Sequence, residues 1–270
     1  MTDRLELPFT DTEKSLDAVS ILTERTGLSK TRVKDAMSKG AVWLRRNGKQ
    51  RRLRRATTEL LPADQIALFY DRDILQRRPP EPDLIDDRGS FSIWSKPPGL
   101  ISGGSRFGDH CSINRVVSKY LGRQTYIVHR LDHFAWGLML LAHNKKSAGF
   151  IGKQFQEGSV GKLYQAIIQG NLTNSLNIDA PVHGKPAISL VTPIAWNQNR
   201  TLVNVKITTG RKHQIRIHLS GEGYPIVGDR QYGSCDKSDL QLASVELSFV
   251  NPENGAQLSY SLTNDRRPEL

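Results

Sequence analysis

Two kinds of apolar periodicity follow one another along the chain, helical spacing first and strand-like alternation later. In KSLDAVSILTERTG, Leu16, Val19 and Leu22 recur at helical spacing. Gly27 follows, and glycine is the residue type that most often ends a helix. SKTRVKDAMSKG repeats the helical spacing, and Ser29 can cap its first turn. We therefore predict two short helices before residue 41.

A hairpin is the next predicted element. The apolar residues 41–44 lead to Asn47-Gly48, a dipeptide typical of two-residue hairpin turns, and the return strand is rich in arginine. A further strand is indicated by Ile66, Leu68 and Tyr70, after a turn at Leu61-Pro62-Ala63-Asp64. The following segment, LQRRPPEPDLIDDRGS, has the proline and charge content of an extended spacer.

From residue 91 onward, strands outnumber helices. Alternation in FSIWS, GLMLLA, GKLYQAIIQG, LVNVKITTG and QLASVELSFV predicts strands, and KKSAGFIGKQFQEG and RKHQIRIHLSGEG have helical spacing. The expected class is α+β, with a mixed, mainly antiparallel sheet and flanking helices. We predict a small domain over residues 1–74, a linker over 75–90 and a larger domain over 91–270.

Positive charge is concentrated in the first part of the chain. The formal net charge of the 270 residues is +11. Residues 14–78 contain 16 Lys and Arg against 7 Asp and Glu, which gives +9 for that stretch alone. Such clustering is typical of proteins that bind a polyanion such as RNA, and the alternative is a solvated basic face.

Other features of composition narrow the class of protein. With 37% hydrophobic residues and a mean hydropathy of −0.46, the chain has the composition of a soluble protein. No apolar run is long enough to cross a bilayer, and the first residues lack a secretory signal pattern. Cys111 and Cys235 form neither a disulfide framework nor a CxxC pair. We expect a cytoplasmic monomer without membrane contact or structural zinc.

The segment YIVHRLDHFAWGLMLLAHN carries the first chemical signal. Asp132 follows Arg130 and His129 between two strand-like runs, where a nearby cation would favour an ionised carboxylate. The alternative is an Asp that closes a turn and pairs with its neighbour. A second signal is Lys162-x-Tyr164, in which an aromatic side chain beside a cation could stack on a base. The alternative there is a core tyrosine with a surface lysine.

A third signal is TTGRKHQIRIHLSGEGYPIVGDRQYG. If RKHQIRIHLSGEG is a helix, His213, Arg216 and Ser220 share one face near its start. The alternative is that His213 and Arg216 only brace the fold.

Together, KPPGL, HRLD…GLMLLAHN, KQFQEGSVGKLYQAIIQG and TGRKHQIRIHLSGEGYPIVGD resemble the RluA-type pseudouridine synthases in order and spacing. The basic segment GLSKTRVKDAMSKGAVWL, with NGK and LPADQIALF, resembles the alpha-L RNA-binding domain. The resemblance implies a pseudouridine synthase fold and an isomerase that detaches uracil from its ribose in RNA and rejoins it through carbon 5. Ribosomal RNA is the favoured substrate, and transfer RNA is the alternative.

By the same resemblance, Asp132 is the catalytic aspartate, Tyr164 packs against the target base and Arg216 pairs with Asp132. The resemblance also implies that Arg130 helps to hold the RNA. Further substrate-binding candidates are His129, Lys162, His213 and Lys96. The RNA-binding candidates of the basic domain are Lys30, Arg32, Lys34, Arg45, Arg46, Arg51, Arg52, Arg54 and Arg55.

The implied chemistry needs base flipping, because a uridine cannot be rotated inside a stacked helix. It is redox-neutral and needs no group donor, so we expect no cofactor and no metal. The residues leave open whether Asp132 attacks the sugar, adds to the ring or abstracts a proton.

Two rival hypotheses remain at this point. His129 and His133, four residues apart with Asp132 between them, imitate a zinc-helix signature, although the apolar lead-in favours a strand. The other rival is an inactive RNA-binding module on a synthase-like fold. It rests on Ala135-Trp136, which stand where the family usually has Thr-Ser. Trp136 could stack on RNA or fill the core.

Overall fold

The computed structural model describes residues 4–12, 17–233 and 238–270, and the chain forms two compact units. The smaller unit consists of Met1–Pro79 together with Gly103–Val116. The larger unit consists of Pro80–Ser102 and Val117–Leu270. The division differs from the predicted domains because residues 103–116, which follow the KPPGL motif, fold with the beginning of the chain.

The first 79 residues contain a small antiparallel sheet and three helices. Its strand order is β1-β4-β2-β3. The elements are β1 (Arg4–Asp11), α1 (Ala18–Thr26), α2 (Lys30–Ser38), β2 (Val42–Arg46), β3 (Lys49–Arg52), β4 (Gln65–Asp71) and α3 (Arg72–Gln76). The two helices, the hairpin and the strand at residues 65–71 confirm the predicted elements. β1 and α3 were not predicted.

Local sequence signals account for these helix and hairpin ends. Asp17 accepts hydrogen bonds from the first backbone N–H groups of α1, and Ser29 does the same for α2. Asn47 and Gly48 both have positive φ, as the two-residue turn requires. Lys14 and Leu16, which the sequence placed in the first helix, lie outside the described residues.

The remainder of the chain is built around a mixed ten-stranded sheet. The strand order is β10-β11-β12-β9-β13-β8-β6-β5, with β14 paired to β13 and β7 paired to β8. The strands are β5 (Asp83–Asp87), β6 (Phe91–Lys96), β7 (Tyr126–Ile127), β8 (Trp136–Ala142), β9 (Gly161–Gln169), β10 (Leu176–Asp179), β11 (Ile188–Asn197), β12 (Arg200–Ile207), β13 (Leu242–Val250) and β14 (Gln257–Ser261). The helices are α4 (Ile113–Leu121), α5 (Lys145–Glu157) and α6 (Gln214–Gly221), with a 3-10 turn at Asn264–Arg266.

Only the contact between β8 and β13 is parallel among the pairings of the described strands, and the others are antiparallel. The predicted α+β class with a mainly antiparallel sheet is therefore confirmed. One face of β8 and β13 packs with α5 around a core that includes Leu140, Ile151 and Val245. Within the described ranges, no helix is both long and apolar enough to cross a membrane.

The segment expected to be a spacer contains an edge strand. β5 lies in residues 75–90 and pairs antiparallel with the fully buried strand β6. The pairing partner, rather than the local composition, makes this proline-rich and acidic stretch extended and ordered.

Candidate active site

The loop between β7 and β8 presents Asp132, whose side chain is 22% exposed. Arg216 of α6 donates from Nη1 to Asp132 Oδ2 at 3.2 Å. The ring of His213 lies nearby, with Nε2 at 3.7 Å from Asp132 Oδ1. The fold thus brings together three of the sequence-predicted site residues from two distant segments.

Arg216 is itself held by a second carboxylate. Its Nε and Nη2 donate to Oδ2 and Oδ1 of Asp229 at 2.7 and 2.8 Å, and the Asp229 side chain is almost fully buried. Burial would lower the pKa of Arg216, but the hydrogen bonds and charges of Asp229 and Asp132 outweigh it and raise that pKa. The guanidinium is therefore a permanent cation at a fixed position beside Asp132.

A cavity of about 80 Å³ opens beside the Asp132 carboxylate. Its lining includes Arg130, Ala135, Tyr164 and Leu242, as well as Asp132 and Arg216. One water molecule needs roughly 10–15 Å³ in the same measure, so the cavity is much larger than a single-water site. It combines one carboxylate, two exposed arginines (Arg130 and Arg211) and apolar walls, which suits a flat ring with a negatively charged backbone outside.

Tyr164 forms part of this wall. It lies on β9, its side chain is buried, and it pairs in register with Val205 on one side and Ser244 on the other. Burial raises the pKa of Tyr164 well above its usual range, and the charge of Asp132 acts in the same direction. The phenol is therefore neutral and presents an aromatic surface to the cavity.

His213 lies at the site, as the sequence predicted, but it is not part of the helix. The helix begins at Gln214, so His213 is the residue before it, with a left-handed φ of 59°, and not a member of the helical face. Its Nδ1 lies 2.8 Å from the Tyr232 hydroxyl. Burial lowers the pKa of His213, Asp132 opposes this, and Arg216 adds to the lowering, so the neutral ring is favoured.

The KPPGL loop fixes the backbone on both sides of Asp132. Ser102 Oγ donates to the Leu131 carbonyl at 2.7 Å and accepts from the Leu131 N–H at 2.9 Å. Gly99 N donates to the His133 carbonyl at 3.0 Å. These bonds restrain the residues before and after the catalytic candidate.

Lys96 belongs to the same clamp, which corrects its predicted substrate contact. Its side chain is fully buried, and Nζ donates to the carbonyls of Pro97, Leu100 and His133. Burial lowers the pKa of Lys96 to about 7, and the charge of Asp132 opposes that fall. Its amine therefore supports the loop that carries Asp132 and is directed to backbone carbonyls.

The other predicted contacts border a groove of about 880 Å³ next to the cavity. Arg130, which is exposed, lines both spaces, and Lys162 and Tyr164 lie along the groove. His129 also lines this groove, and its ring supports the neighbouring strand. Its Nε2 accepts from Leu140 N at 2.9 Å, its ring stacks on Phe155 at 4.5 Å, and burial lowers its pKa to about 3.

The same contacts count against the zinc hypothesis. His129 Nε2 accepts from a backbone N–H, and His133 Nε2 lies 2.8 Å from the Gly99 carbonyl. These two ring nitrogens are thus directed to different backbone groups. In the part of the chain that the structure describes, no three His, Cys, Asp or Glu side chains are grouped to hold a metal ion.

Ala135 and Trp136, which stand where the family usually has Thr-Ser, fit the structure without disturbing the contacts of Asp132. Ala135 is buried and lines the cavity, where it leaves more room than a threonine would. Trp136 is half-buried, packs against the core of the sheet, and its Nε1 donates to the Arg266 carbonyl at 2.9 Å. Trp136 therefore packs against the core with part of its ring, and the rest stays at the surface.

The basic residues of the smaller unit divide into two groups. Arg46 pairs with the buried Asp64, Arg52 and Arg54 pair with Asp109, and Arg45 lies over the ring of Phe9. These four hold the unit together. Of the remaining candidates, Arg32 is half-buried, and the others are exposed: Lys30, Lys34, Arg51 and Arg55.

Sequence reasoning missed Asp229, Ser102 and Phe134. Asp229 follows the buried Ile226-Val227 run, and an acidic residue after buried apolar positions is a signal for a paired charge. Phe134 is a large apolar residue in a polar loop beside Asp132, a position that favours contact with a ligand. Ser102 has no local signal, because its partner is distant in sequence.

Comparisons with known proteins agree with this geometry. A family model described as RNA pseudouridylate synthase matches residues 90–221. The chain is similar to a dual-specificity RNA pseudouridine synthase RluA of Vibrio vulnificus, with 32% identity over 202 residues that span 65% of this chain and 80% of that protein. It is also similar to the ribosomal large subunit pseudouridine synthase D of Pseudomonas aeruginosa, with 39% identity over 121 residues, 40% of this chain and 38% of that protein.

Among solved structures, human RNA pseudouridylate synthase domain containing 1 has a similar fold. The TM-score is 0.60 at 20% identity, covering 71% of this chain and 88% of that one. Human RNA pseudouridylate synthase domain containing 4 gives a TM-score of 0.57 at 20% identity, covering 67% and 88%.

Proposed function

Because the chain belongs to the RluA-type RNA pseudouridine synthases, which isomerise uridine to pseudouridine in RNA, we propose that Asp132 is its catalytic group and ribosomal RNA its substrate. The observation that carries the first part is the placement of the Asp132 carboxylate. It lies at a cavity walled by Tyr164 and open toward Arg130, and it is held by Arg216 at 3.2 Å.

The residues around the cavity have separate tasks in this proposal. The N1–C1′ bond of the uridine breaks, a C5–C1′ bond forms, N1 gains a proton and C5 loses one, so no oxidant or group donor is consumed. Arg216 keeps the Asp132 carboxylate oriented. Tyr164 packs against the flipped ring, and Arg130 holds a phosphate at the mouth. Flipping costs a few kcal/mol, which these contacts offset.

The choice of ribosomal RNA is supported by the name of the Pseudomonas relative, a ribosomal large subunit synthase. The exposed cations of the smaller unit, Lys30, Lys34, Arg51 and Arg55, would add contacts to RNA phosphates. The cytoplasmic location and the monomeric state stay predictions of the sequence.

Pseudouridine mapping of total RNA tests both parts of the proposal. Cells that lack the protein should lose pseudouridine at one or more large-subunit ribosomal positions, and the intact gene should restore them. Asp132→Asn is nearly isosteric, so it should fold and bind RNA but restore none of them. Asp179→Asn, at an exposed position on β10, is the matched control and should behave as wild type.

Two results would contradict the proposal in different ways. Loss of pseudouridine only from transfer RNA would overturn the substrate but leave the role of Asp132 intact. Full restoration by Asp132→Asn would overturn the role of Asp132.

A further inference from the structure

A second cavity adjoins the catalytic one. It has a volume of about 360 Å³, and His213 and Arg216 line both spaces. Ligand pockets in proteins commonly measure roughly 300–1,000 Å³, so this space can hold a nucleobase. The mechanism proposed above uses the 80 Å³ cavity together with the adjoining groove, which Arg130 and Tyr164 also line, and leaves the 360 Å³ cavity without a function.

One wall of the second cavity is an exposed aromatic ring. Phe134 lies two residues after Asp132, and its side chain remains 52% exposed. Its ring is in contact with the ring of His133, with 4.3 Å between the centroids. The Gly99 contact of His133 and the clamp described above restrain this part of the loop, so the ring of Phe134 is presented from a fixed backbone.

The other lining residues include both apolar and polar side chains, as a site for a nucleobase requires. Leu240 is buried and apolar, whereas Asp239, Ser238 and Gln231 contribute acceptors and donors. A base has an apolar face that stacks on aromatic rings and a polar edge that forms hydrogen bonds. A phosphate would suit this cavity less well, since Asp229 and Asp239 balance the charges of Arg216 and Arg230 in its lining and leave no net positive charge.

From these observations we propose that the 360 Å³ cavity binds the base of a nucleotide directly next to the flipped uridine, with Phe134 as the stacking surface. The inference rests on the proposed function, because it takes the uridine to be bound at Asp132. A nucleotide joined to that uridine by one phosphate cannot lie far from Asp132. The two shared residues, His213 and Arg216, place the cavity at this distance. Phe134 thereby holds the neighbouring base beside the flipped uridine, and the contact adds affinity for any base because every base has a face that can stack.

A double-mutant cycle between protein and RNA tests the proposal. The RNA is a fragment around a uridine that the mapping has shown to be modified by the wild-type enzyme. It is compared with two versions in which the 5′ or the 3′ neighbour of the uridine is abasic. Wild type, Phe134→Ala, Phe134→Leu and Phe134→Tyr are assayed on all three RNAs, and KM and kcat are determined separately.

We expect Phe134→Ala to raise KM on the intact RNA by roughly 5- to 150-fold, the range that corresponds to loss of one base–aromatic stack, with little change in kcat. One abasic RNA should raise KM for wild type to a similar extent, but add almost nothing for Phe134→Ala. Phe134→Leu should resemble the alanine variant, and Phe134→Tyr should resemble wild type. Phe150→Ala removes an exposed phenylalanine on α5 outside both cavities and should change nothing.

The proposal is overturned if Phe134→Ala weakens the intact and both abasic RNAs by the same factor, because Phe134 would then contact the backbone and not a base. It is also overturned if Phe134→Ala matches Phe150→Ala. Turnover of the intact RNA by wild type is measured in the same assay. If wild type does not turn over the intact RNA, the proposed substrate is wrong. If wild type turns it over and Phe134→Ala has no specific effect, only this inference is wrong.

Discussion

At the scale of single residues, Arg216 connects two carboxylates that differ in burial. Asp229 is almost sealed from solvent, whereas Asp132 is partly open to the cavity. The buried partner takes two nitrogens of the guanidinium, and a third nitrogen is directed to Asp132. Asp229 therefore orients the arginine, and the arginine orients the catalytic candidate.

We expect Asp229→Asn to lower both stability and activity. Removing one partner of a buried ion pair typically costs about 3–5 kcal/mol, because the remaining charge is left uncompensated. Urea unfolding should show a loss in this range, and pseudouridine formation should slow by about tenfold or more under conditions where the variant is folded. Asp265→Asn, at an exposed position, serves as the control. Unchanged turnover by a folded Asp229→Asn enzyme would refute the orienting function.

Much of the site chemistry could be predicted from residues, but its supporting contacts could not. Asp132, Tyr164 and Arg216 were found because their motifs keep recognisable spacing, and the structure places all three at one cavity. Lys96 was predicted to touch substrate, yet its amine bonds to backbone carbonyls of the loop, and His129, which lines the groove, also accepts a hydrogen bond from the backbone of β8. A polar side chain in a motif does not reveal whether its partner is a ligand or the backbone.

At the scale of elements, the site depends on how one loop is held between strands. The KPPGL loop bonds to the backbone of residues 131 and 133, and Gly137 begins the close contact of β8 with β13. Gly137 has a φ of 106°, and a Cβ there would lie 2.3 Å from the Ser244 carbonyl oxygen. Only glycine permits this approach immediately after the active loop.

Ser102→Ala should loosen the Asp132 loop. The substitution leaves the buried N–H and carbonyl of Leu131 without their partner, at a cost of about 1–3 kcal/mol for each group. We expect a lower midpoint in urea unfolding and a clear decrease in kcat, since Asp132 follows directly. Ser159→Ala loses one bond to the Gln154 carbonyl at the exposed end of α5 and should have little effect. Equal activities of the two variants would show that this clamp does not position Asp132.

Elements with local signals were predicted, and those that depend on distant partners were not. The cap at Ser29 and the Asn47-Gly48 turn are set within a few residues. β1 carries a proline within its alternation and β5 lies in a charged, proline-rich stretch, so each is defined by the strand with which it pairs. The start of α6 after His213, and not before it, also depends on tertiary contacts such as the one to Tyr232.

At the scale of the whole molecule, charge is distributed unevenly and part of it is internally neutralised. Residues 14–78 carry +9 of the +11. Arg46, Arg52 and Arg54 are paired within the smaller unit, which leaves the exposed lysines and arginines as the cations directed to solvent. The number of cations available to RNA is thus smaller than the composition alone implies.

The salt dependence of RNA binding should reflect this smaller number. The slope of log K against log salt is expected to be about 0.7–0.9 per phosphate neutralised. Lys30→Gln, Lys34→Gln and Arg51→Gln, made in the Asp132→Asn background to prevent turnover, should each flatten the slope by about that amount if each contacts a phosphate. Lys185→Gln, exposed in the larger unit, is the control. Slopes that stay the same in all the variants would argue against RNA binding by the smaller unit.

The return of residues 103–116 to the smaller unit has a consequence for how such enzymes can diversify. A recombination event with one crossover near residue 79 would exchange the amino-terminal part but leave the original 103–116 segment behind, with Asp109 no longer facing Arg52 and Arg54. To exchange the whole unit, recombination would need two further crossovers, one on each side of residues 103–116, or compensating changes within that segment. An accessory domain that is joined to its enzyme through one peptide segment can be exchanged with one crossover. The smaller unit cannot, so we expect it to be inherited together with the larger unit.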